Sequence, residues 1–428
     1  MSKHKNGSFT SSFGFVLACV GSAVGLGNIW MFPYRLGEYG GAAFLIPYIF
    51  FIALFGFVGL SAEFAIGRRV GTGTLGSYVH CWESRKMGTA GKILGWIPLL
   101  GSLGIAIGYS VIIGWVVRFL IGSVTNTVLE QDSAQYFGEV TKWMGNVPFH
   151  VIVIAITVLV LLLGAATQIE KANKILMPLF FLLFAVLAVR VAFLPGASEG
   201  YKFLFVPKWE ALANVDTWVM AMGQAFFSMS ITGSGMIVYG SYLSKKEDIP
   251  KASMQTAVFD TIAAMLSALA IMPAVFAFGI EPTAGPSLMF ITIPNIFKQM
   301  PFGRVFAVIF FLSVCFAGIT SLINMFEAVI ESWQHKFRLK RNHAVLLCGG
   351  ITLLVGLFLE EEARVGTWMD FITIIVVPFG AVLGAISIYY ILGFDKIKEE
   401  LETGREKPLP KLFKPAAKYI YVPLSIIV

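Results

Sequence analysis

The chain has 428 residues, of which 57% are hydrophobic and 13% are charged, with a mean hydropathy of +0.78. Soluble domains carry about 25% charged residues. The composition therefore excludes a soluble protein and indicates an all-α integral membrane protein with one membrane domain over residues 1–428. The formal net charge is +7. Because positive residues concentrate in particular loops, this charge reports on membrane topology and does not indicate a nucleic-acid partner.

Hydrophobic segments long enough to cross a bilayer, which takes about 20 residues, recur along the chain. The pattern predicts eleven transmembrane helices. They lie at residues 11–36, 42–67, 90–122, 149–165, 170–194, 217–243, 255–281, 304–333, 343–359, 366–393 and 414–428. Two connecting segments are expected to be ordered. Residues 74–86 have the composition of an interfacial helix, and residues 281–299 that of a turn followed by a re-entrant or lid helix.

Lysine and arginine alternate between rich and poor loops. Segments after the second, sixth and eighth helices are basic, and residues 395–418 contain seven Lys and Arg residues. The loop at 123–147 contains only Lys142. The positive-inside rule then predicts a cytoplasmic N-terminus and an external C-terminus.

The first hydrophobic segment is weakest at its centre. Three glycines and a serine fall within residues 21–27, and each glycine costs a helix about 1 kcal/mol relative to alanine. A broken helix is tolerated in lipid only where it is buried in protein or lines a cavity. Its free amides and carbonyls would suit a carboxylate and a cation side by side. A close-packing face through Gly21 and Gly25 is the alternative.

A second interrupted segment lies at residues 227–235, in the middle of the sixth helix. Paired breaks at corresponding positions of two halves are typical of transporters built from inverted repeats. We therefore predict an inverted repeat of five plus five helices, over residues 11–194 and 217–393, with helices 1 and 6 broken. The eleventh helix, at 414–428, lies outside the repeat.

Several polar side chains fall inside predicted helices, where such groups mark functional sites or helix-to-helix hydrogen bonds. Glu63 and Glu327 are expected to be structural partners of the broken backbone. A buried carboxylate at Asp260 needs a cation or a proton. The remaining oxygens suit a small hard cation such as sodium. They belong to Asn28, Tyr109, Ser228, Ser230, Thr232, Ser234, Thr320, Ser321 and Asn324. No nucleophile–base pair, phosphate loop or metal cluster stands out, so an enzyme is not expected.

The motif Gly21-Ser-Ala-Val-Gly-Leu-Gly-Asn-Ile-Trp-Met-Phe-Pro33 resembles the first-helix signature of the neurotransmitter:sodium symporters. Four further blocks match that family in the same order. These are Gly40-Gly-Ala-Ala-Phe-Leu-Ile-Pro-Tyr48, Gln224-Ala-Phe-Phe-Ser-Met-Ser230, Asp260-Thr-Ile and Phe316-Ala-Gly-Ile-Thr-Ser321. The chain is most similar to bacterial eleven-helix members of the tyrosine-transporter type. The resemblance implies sodium-coupled import of an amino acid across a bacterial inner membrane, by alternating access.

The resemblance also implies two sodium sites and a substrate site between them. The first sodium would be held by Ala23, Asn28, Ser228 and Asp260 together with the substrate carboxylate, and the second by Gly21, Val24, Ala317, Thr320 and Ser321. The substrate set is Ser22, Ala23, Gly25, Leu26, Gly27, Ile105, Tyr109, Phe227, Ser228, Ser230, Gly233, Ser321 and Met325. Of these, Gly25, Leu26, Gly27 and Tyr109 would bind the carboxylate.

Substrate size and ion use follow from departures from the family pattern. Gly233 stands where relatives with smaller aliphatic substrates carry a bulky aromatic residue, which implies a large substrate, with tyrosine the first expectation. Chloride-dependent relatives use five positions that here hold Tyr48, Gln224, Ser228, Asp260 and Ala264. Asp260 would supply the negative charge itself, so uptake without chloride is expected.

The gates also differ from the family pattern. Met31 replaces the arginine that pairs with the acid at Asp370, and Asn6, Phe9 and His335 replace the inner gate. Three alternatives remain open: a proton-coupled amino-acid permease of the same architecture, a channel, and a non-transporting amino-acid sensor. The expected partners are an amino acid, sodium and the lipid bilayer, and the sequence leaves the oligomeric state open.

Overall fold

The computed structural model describes residues 9, 11–164, 166–279 and 288–427, and all regular secondary structure in these residues is helical. Every predicted membrane segment coincides with a helix. We label these α1 (Ser12–Ala23 and Gly27–Glu38), α2 (Ala42–Val70), α3 (Gly88–Thr125), α4 (Val147–Leu162), α5 (Ala166–Ala192), α6 (Val215–Ser228 and Gly235–Ser241), α7 (Ile249–Ala277), α8 (Gly303–Phe337), α9 (Arg341–Leu357), α10 (Glu362–Glu402) and α11 (residues 413–427).

By length and apolar composition, six of these helices in the described residues suffice to cross a membrane: α2, α3, α5, α7, α8 and α10. The bent pair of α1 counts as a seventh, and α4 and α9 are shorter apolar helices. The two expected connecting helices are present, as Gly73–Glu83 and as Leu288–Thr292 continued by Ile293–Gln299. The expected turn at 281–287 lies outside the described residues.

Both predicted breaks are present. In α1 the two halves meet at an angle of 59°, because Val24 leaves the helix with an extended backbone (φ −72°, ψ 115°). In α6 the helix ends at Ser228 and resumes at Gly235. Between them Ser230 has φ 52° and Gly233 has φ 73°, a left-handed conformation that a helix does not contain.

The two acidic residues expected to support the breaks behave differently. Glu63 of α2 does so, because its Oε1 accepts a hydrogen bond of 2.8 Å from the Gly233 amide. The prediction for Glu327 is wrong. Its carboxylate binds the Arg341 guanidinium at 2.8 Å and the Tyr242 hydroxyl at 2.5 Å. Glu327 therefore joins α8 to α9 and to the end of α6, away from either break.

Close backbone contact holds α2 against the second half of α6. A Cβ on Gly67 would lie 1.9 Å from the Ile237 carbonyl oxygen, and one on Gly240 would lie 2.5 Å from that of Phe64. These glycines let the two backbones touch, as in small-residue helix packing in membranes. The contact fixes the second half of α6 to the same helix that carries Glu63.

Among the described residues, other contacts are found near the positions of the family's gate pairs. At one end the Phe9 ring contacts those of Phe15, Tyr239 and Tyr242 at 5.3, 5.8 and 6.2 Å between centroids. Asn6 lies outside the described residues. At the other end, beyond Met31, Arg35 donates to the side-chain oxygen of Gln224 at 3.2 Å.

Candidate functional site

A cavity at the centre of the bundle lies between the two breaks and is closed by α3 and α8. It is lined by Ser22, Ala23, Gly25, Gly27, Ser102, Ile105, Tyr109, Phe227, Ser230, Thr232, Ser321, Asn324 and Met325. Ten of these residues belong to the predicted substrate set. Leu26 and Ser228 lie next to the lining residues in sequence. The Leu26 side chain is buried, and the Ser228 hydroxyl binds Asp260.

Gly233 is not among the lining residues. A Cβ at this position would lie 2.5 Å from the Gly380 carbonyl oxygen and 2.7 Å from the Tyr78 hydroxyl. The glycine therefore packs against α10 and the helix Gly73–Glu83, and the neighbouring Thr232 faces the cavity instead. In this structure Gly233 therefore does not line the described cavity, and its role in setting substrate size stays a prediction.

The break in α1 presents a backbone amide beside a phenol. The Leu26 amide donates a hydrogen bond of 2.9 Å to the Tyr109 hydroxyl. A Cβ on Gly25 would lie 2.4 Å from that hydroxyl and 2.7 Å from Ser321 Oγ. Only glycine therefore fits at this point. These amides lie at the N-terminus of the second half of α1. A helix N-terminus favours the binding of a carboxylate.

A buried polar cluster joins α1, α6 and α7 beside the cavity. The Asn28 amide nitrogen donates to Asp260 Oδ1 at 2.7 Å and to Ser228 Oγ at 3.0 Å. Ser228 donates to Asp260 Oδ2 at 2.7 Å. Among the ion pairs found in the described residues, none includes Asp260. A carboxylate buried without a basic partner requires a cation or a proton.

A second cluster lies at the end of the first half of α1, against α8. Ser321 Oγ lies 3.3, 3.2 and 3.0 Å from the carbonyl oxygens of Gly21, Ser22 and Val24. Next to it, Thr320 Oγ1 lies 3.0 Å from the Ala317 carbonyl oxygen. The Ser22 carbonyl also accepts a hydrogen bond of 3.0 Å from Ser230 Oγ. A hydroxyl has one proton to donate, so Ser321 can satisfy only one of the Gly21 and Val24 carbonyls. The surplus of carbonyl oxygens is an arrangement that a hard cation completes.

Three of the five positions that chloride-dependent relatives use, Gln224, Ser228 and Asp260, have side-chain hydrogen bonds in this region. Gln224 donates to the Gly27 carbonyl oxygen at 3.0 Å and accepts from Arg35. Ser228 is bonded to Asp260, and Ala264 has no polar side chain. Both ends of the Gln224 amide and the Ser228 hydroxyl are thus already engaged within the protein.

The sequence analysis missed one lining residue entirely. Ser102 lies on α3, one turn before Ile105 and two turns before Tyr109, and that spacing places the three on one helix face. The signal was present in the sequence. It was weak because a serine in a membrane helix commonly bonds its own backbone.

A family model, related sequences and a solved structure all match this chain over most of its length. The family model described as "Sodium:neurotransmitter symporter family" matches residues 6–142 and 131–420. The sodium-dependent transporter YhdH of Bacillus subtilis is 33% identical over 420 residues, with 94% of this chain and 92% of the relative covered. A sodium-dependent transporter of Haemophilus influenzae is 30% identical, with 98% and 96% covered.

Among solved structures, the chain is similar to a crystal structure of MhsT in complex with L-phenylalanine. The TM-score is 0.87 at 31% sequence identity, and the match covers 98% of each chain. The likeness therefore extends over both breaks and the cavity between them.

Substitution of Gly25 tests whether the cavity at the α1 break binds a ligand. Gly25→Ala would place a methyl group 2.4 Å from the Tyr109 hydroxyl. We expect the affinity of purified protein for a labelled amino acid to fall at least about tenfold, which corresponds to 1.4 kcal/mol. Gly350→Ala is the control, because a Cβ there meets no atom within 4 Å. Equal affinity in the two variants would contradict a ligand site at this break.

Proposed function

Because the chain belongs to the sodium:neurotransmitter symporter family, and is therefore a sodium-dependent membrane transporter and not an enzyme, we propose that it imports a hydrophobic amino acid together with sodium. The observation that carries this proposal is the cavity between the two broken helices, with a buried oxygen cluster on either side of it. The transport cycle is alternating access, between the repeats at residues 11–194 and 217–393, with α11 outside them.

The substrate carboxylate binds at the α1 break, where it accepts hydrogen bonds from the Leu26 amide and the Tyr109 hydroxyl. The ammonium group binds carbonyl oxygens around Ala23, Phe227 and Ser230. This assignment is supported by the glycine at position 25, where a Cβ would occupy the carboxylate's place. It is also supported by helix polarity, since the open amides there belong to an N-terminus.

The substrate side chain occupies the part of the cavity lined by Ile105, Phe227 and Met325. These apolar groups favour a hydrophobic side chain, and the complex of MhsT with L-phenylalanine supports an aromatic one. Ser102, Thr232 and Asn324 add polar groups to the same cavity. A phenol would find hydrogen-bond partners among them, so tyrosine stays the first expectation beside phenylalanine.

Two sodium ions accompany the substrate in this proposal. The first is bound by Asn28, Ser228, Asp260, the Ala23 carbonyl and the substrate carboxylate. The second is bound by the carbonyls of Gly21, Val24 and Ala317 and the hydroxyls of Thr320 and Ser321. Since the first sodium and the carboxylate contact each other, each raises the affinity of the other by the same factor. The carrier would lie in a bacterial plasma membrane with its N-terminus in the cytoplasm.

Uptake into proteoliposomes tests sodium coupling and substrate choice together. Labelled phenylalanine, tyrosine, tryptophan, leucine, alanine and glycine are compared with an inward sodium gradient and with choline or potassium. We expect saturable uptake of the aromatic amino acids that needs sodium. Equal uptake in choline would contradict coupling, and glycine outcompeting tyrosine would contradict the substrate class. Binding without uptake would identify a sensor.

The position of Thr232 in the cavity predicts a change of substrate size. Thr232→Phe should fill space in the cavity and shift the preference toward alanine and other small side chains, measured by competition against labelled tyrosine. Gly233→Phe is the matched comparison. Its side chain meets the Gly380 carbonyl oxygen and should lower thermal stability without a shift of preference. A shift in Gly233→Phe alone would reverse this assignment.

Because the Asp260 carboxylate supplies a negative charge, we predict that uptake needs no chloride. Replacing chloride with gluconate should leave sodium-dependent uptake unchanged, because the carboxylate balances the sodium charge. Asp260→Asn should lose at least about 90% of uptake or make it depend on chloride, a loss of about 1.4 kcal/mol or more. Ser267→Ala is the control on the same helix, since Ser267 bonds only its own backbone, at the Ala263 carbonyl. Full, chloride-indifferent uptake in Asp260→Asn would contradict this role.

A further inference from the structure

Asn173, about two turns into α5, has a fully buried amide with one unused end. Its nitrogen donates to the Ile169 carbonyl oxygen of its own helix at 2.8 Å. Its Oδ1 has no hydrogen-bond partner among the residues that the structure describes. Buried polar atoms in native proteins are nearly always paired with protein, water or an ion. The oxygen therefore indicates a missing partner.

This oxygen lies against Gly21, a member of the second cluster of the candidate site. A Cβ on Gly21 would lie 1.6 Å from Asn173 Oδ1 and 3.2 Å from Thr320 Cβ. The amide oxygen thus occupies the space beside Gly21 that a side chain would need, and Thr320 borders the same space. Gly21 and Thr320 are two members of the proposed second sodium site. The site has a neighbour on α5 as well as on α1 and α8.

The charged residues next to Asn173 on α5 do not oppose the binding of a cation there. One turn earlier on α5, the buried Glu170 carboxylate lies 2.6 Å from the Lys174 ammonium and accepts a bond of 3.0 Å from Ser11. The positive charge of Lys174 is therefore balanced by its own neighbour. An amide oxygen is a hard ligand of the kind that sodium and calcium prefer.

We propose that Asn173 Oδ1 is a further oxygen ligand of the second sodium site, so that α5 takes part in sodium binding. This inference rests on the proposed function and adds a residue to it. It gives Gly21 a role beyond helix breaking, since any side chain at that position would displace the Asn173 oxygen.

Equilibrium binding of radioactive sodium to purified protein tests the inference without requiring transport. Asn173→Ala and Asn173→Leu should raise the sodium concentration for half-saturation about tenfold, the effect of losing one contact to a charge. Asn173→Asp keeps an oxygen at the position and should stay within about threefold of the unmutated protein. Thr157→Ala is the control, because Thr157 is equally buried and bonds only the Val153 carbonyl of α4.

Competition by lithium separates a ligand from a structural residue. Loss of a ligand should change the ratio of sodium to lithium affinity, whereas loss of packing alone should lower thermal stability and leave that ratio unchanged. An unchanged ratio in Asn173→Ala, or equal weakening in Asn173→Asp and Asn173→Ala, would overturn the inference.

Thr320→Ala distinguishes this inference from the function on which it rests. If Thr320→Ala weakens sodium binding and the Ala and Leu variants of Asn173 do not, the second site stands and Asn173 is not its ligand. If Thr320→Ala also binds sodium normally, the second site itself is wrong, and the inference about Asn173 falls with it. Weakened binding in all three variants, with Thr157→Ala normal, is the expected result.

Discussion

Backbone amides and carbonyls inside a bilayer cost several kcal/mol when they lack a partner, and the two breaks release such groups at the centre of this bundle. The free amides find acceptors within the protein. Glu63 accepts from Gly233, Asn28 accepts from Gly25, and Tyr109 accepts from Leu26. The carbonyls have fewer partners. Ser230 donates to that of Ser22, but the Gly21 and Val24 carbonyls both depend on the single hydroxyl proton of Ser321. The proposed sodium ions would relieve this shortage of donors.

The same constraint explains why the ion sites and the cavity share residues. Helix α1 contributes carbonyls from its first half and amides from its second half, and the two sets face each other across residues 24–26. A carboxylate that meets the amides lies within reach of the cations that meet the carbonyls. In the proposed function, coupling between substrate and sodium would therefore arise at a single helix break, supported by the polar groups of α6, α7 and α8.

Much of this arrangement could be predicted from the sequence, because glycine-rich interruptions of apolar segments are conspicuous. The positions of both breaks belong to that class. The eleven helices follow from the lengths of the apolar segments, and most of the cavity lining was implied by the resemblance to the family. Side-chain direction inside a break was not predictable, since an irregular segment has no period. For that reason the sequence did not show that Thr232, and not Gly233, lines the cavity. The partner of Glu327 was missed because Arg341 is the first residue of a different helix and reaches Glu327 only through the packing of α9 on α8.

The bond between the Leu26 amide and Tyr109 has a consequence for the return half of the transport cycle. A carrier must also reorient when it has released its cargo, and exposed or unpaired groups would hinder closure at that stage. In this structure the phenol oxygen takes the place of a carboxylate oxygen on the Leu26 amide. In the proposed cycle the Leu26 amide would therefore keep an acceptor after the cargo has left, and the substrate would bind by replacing the phenol with a more strongly charged acceptor.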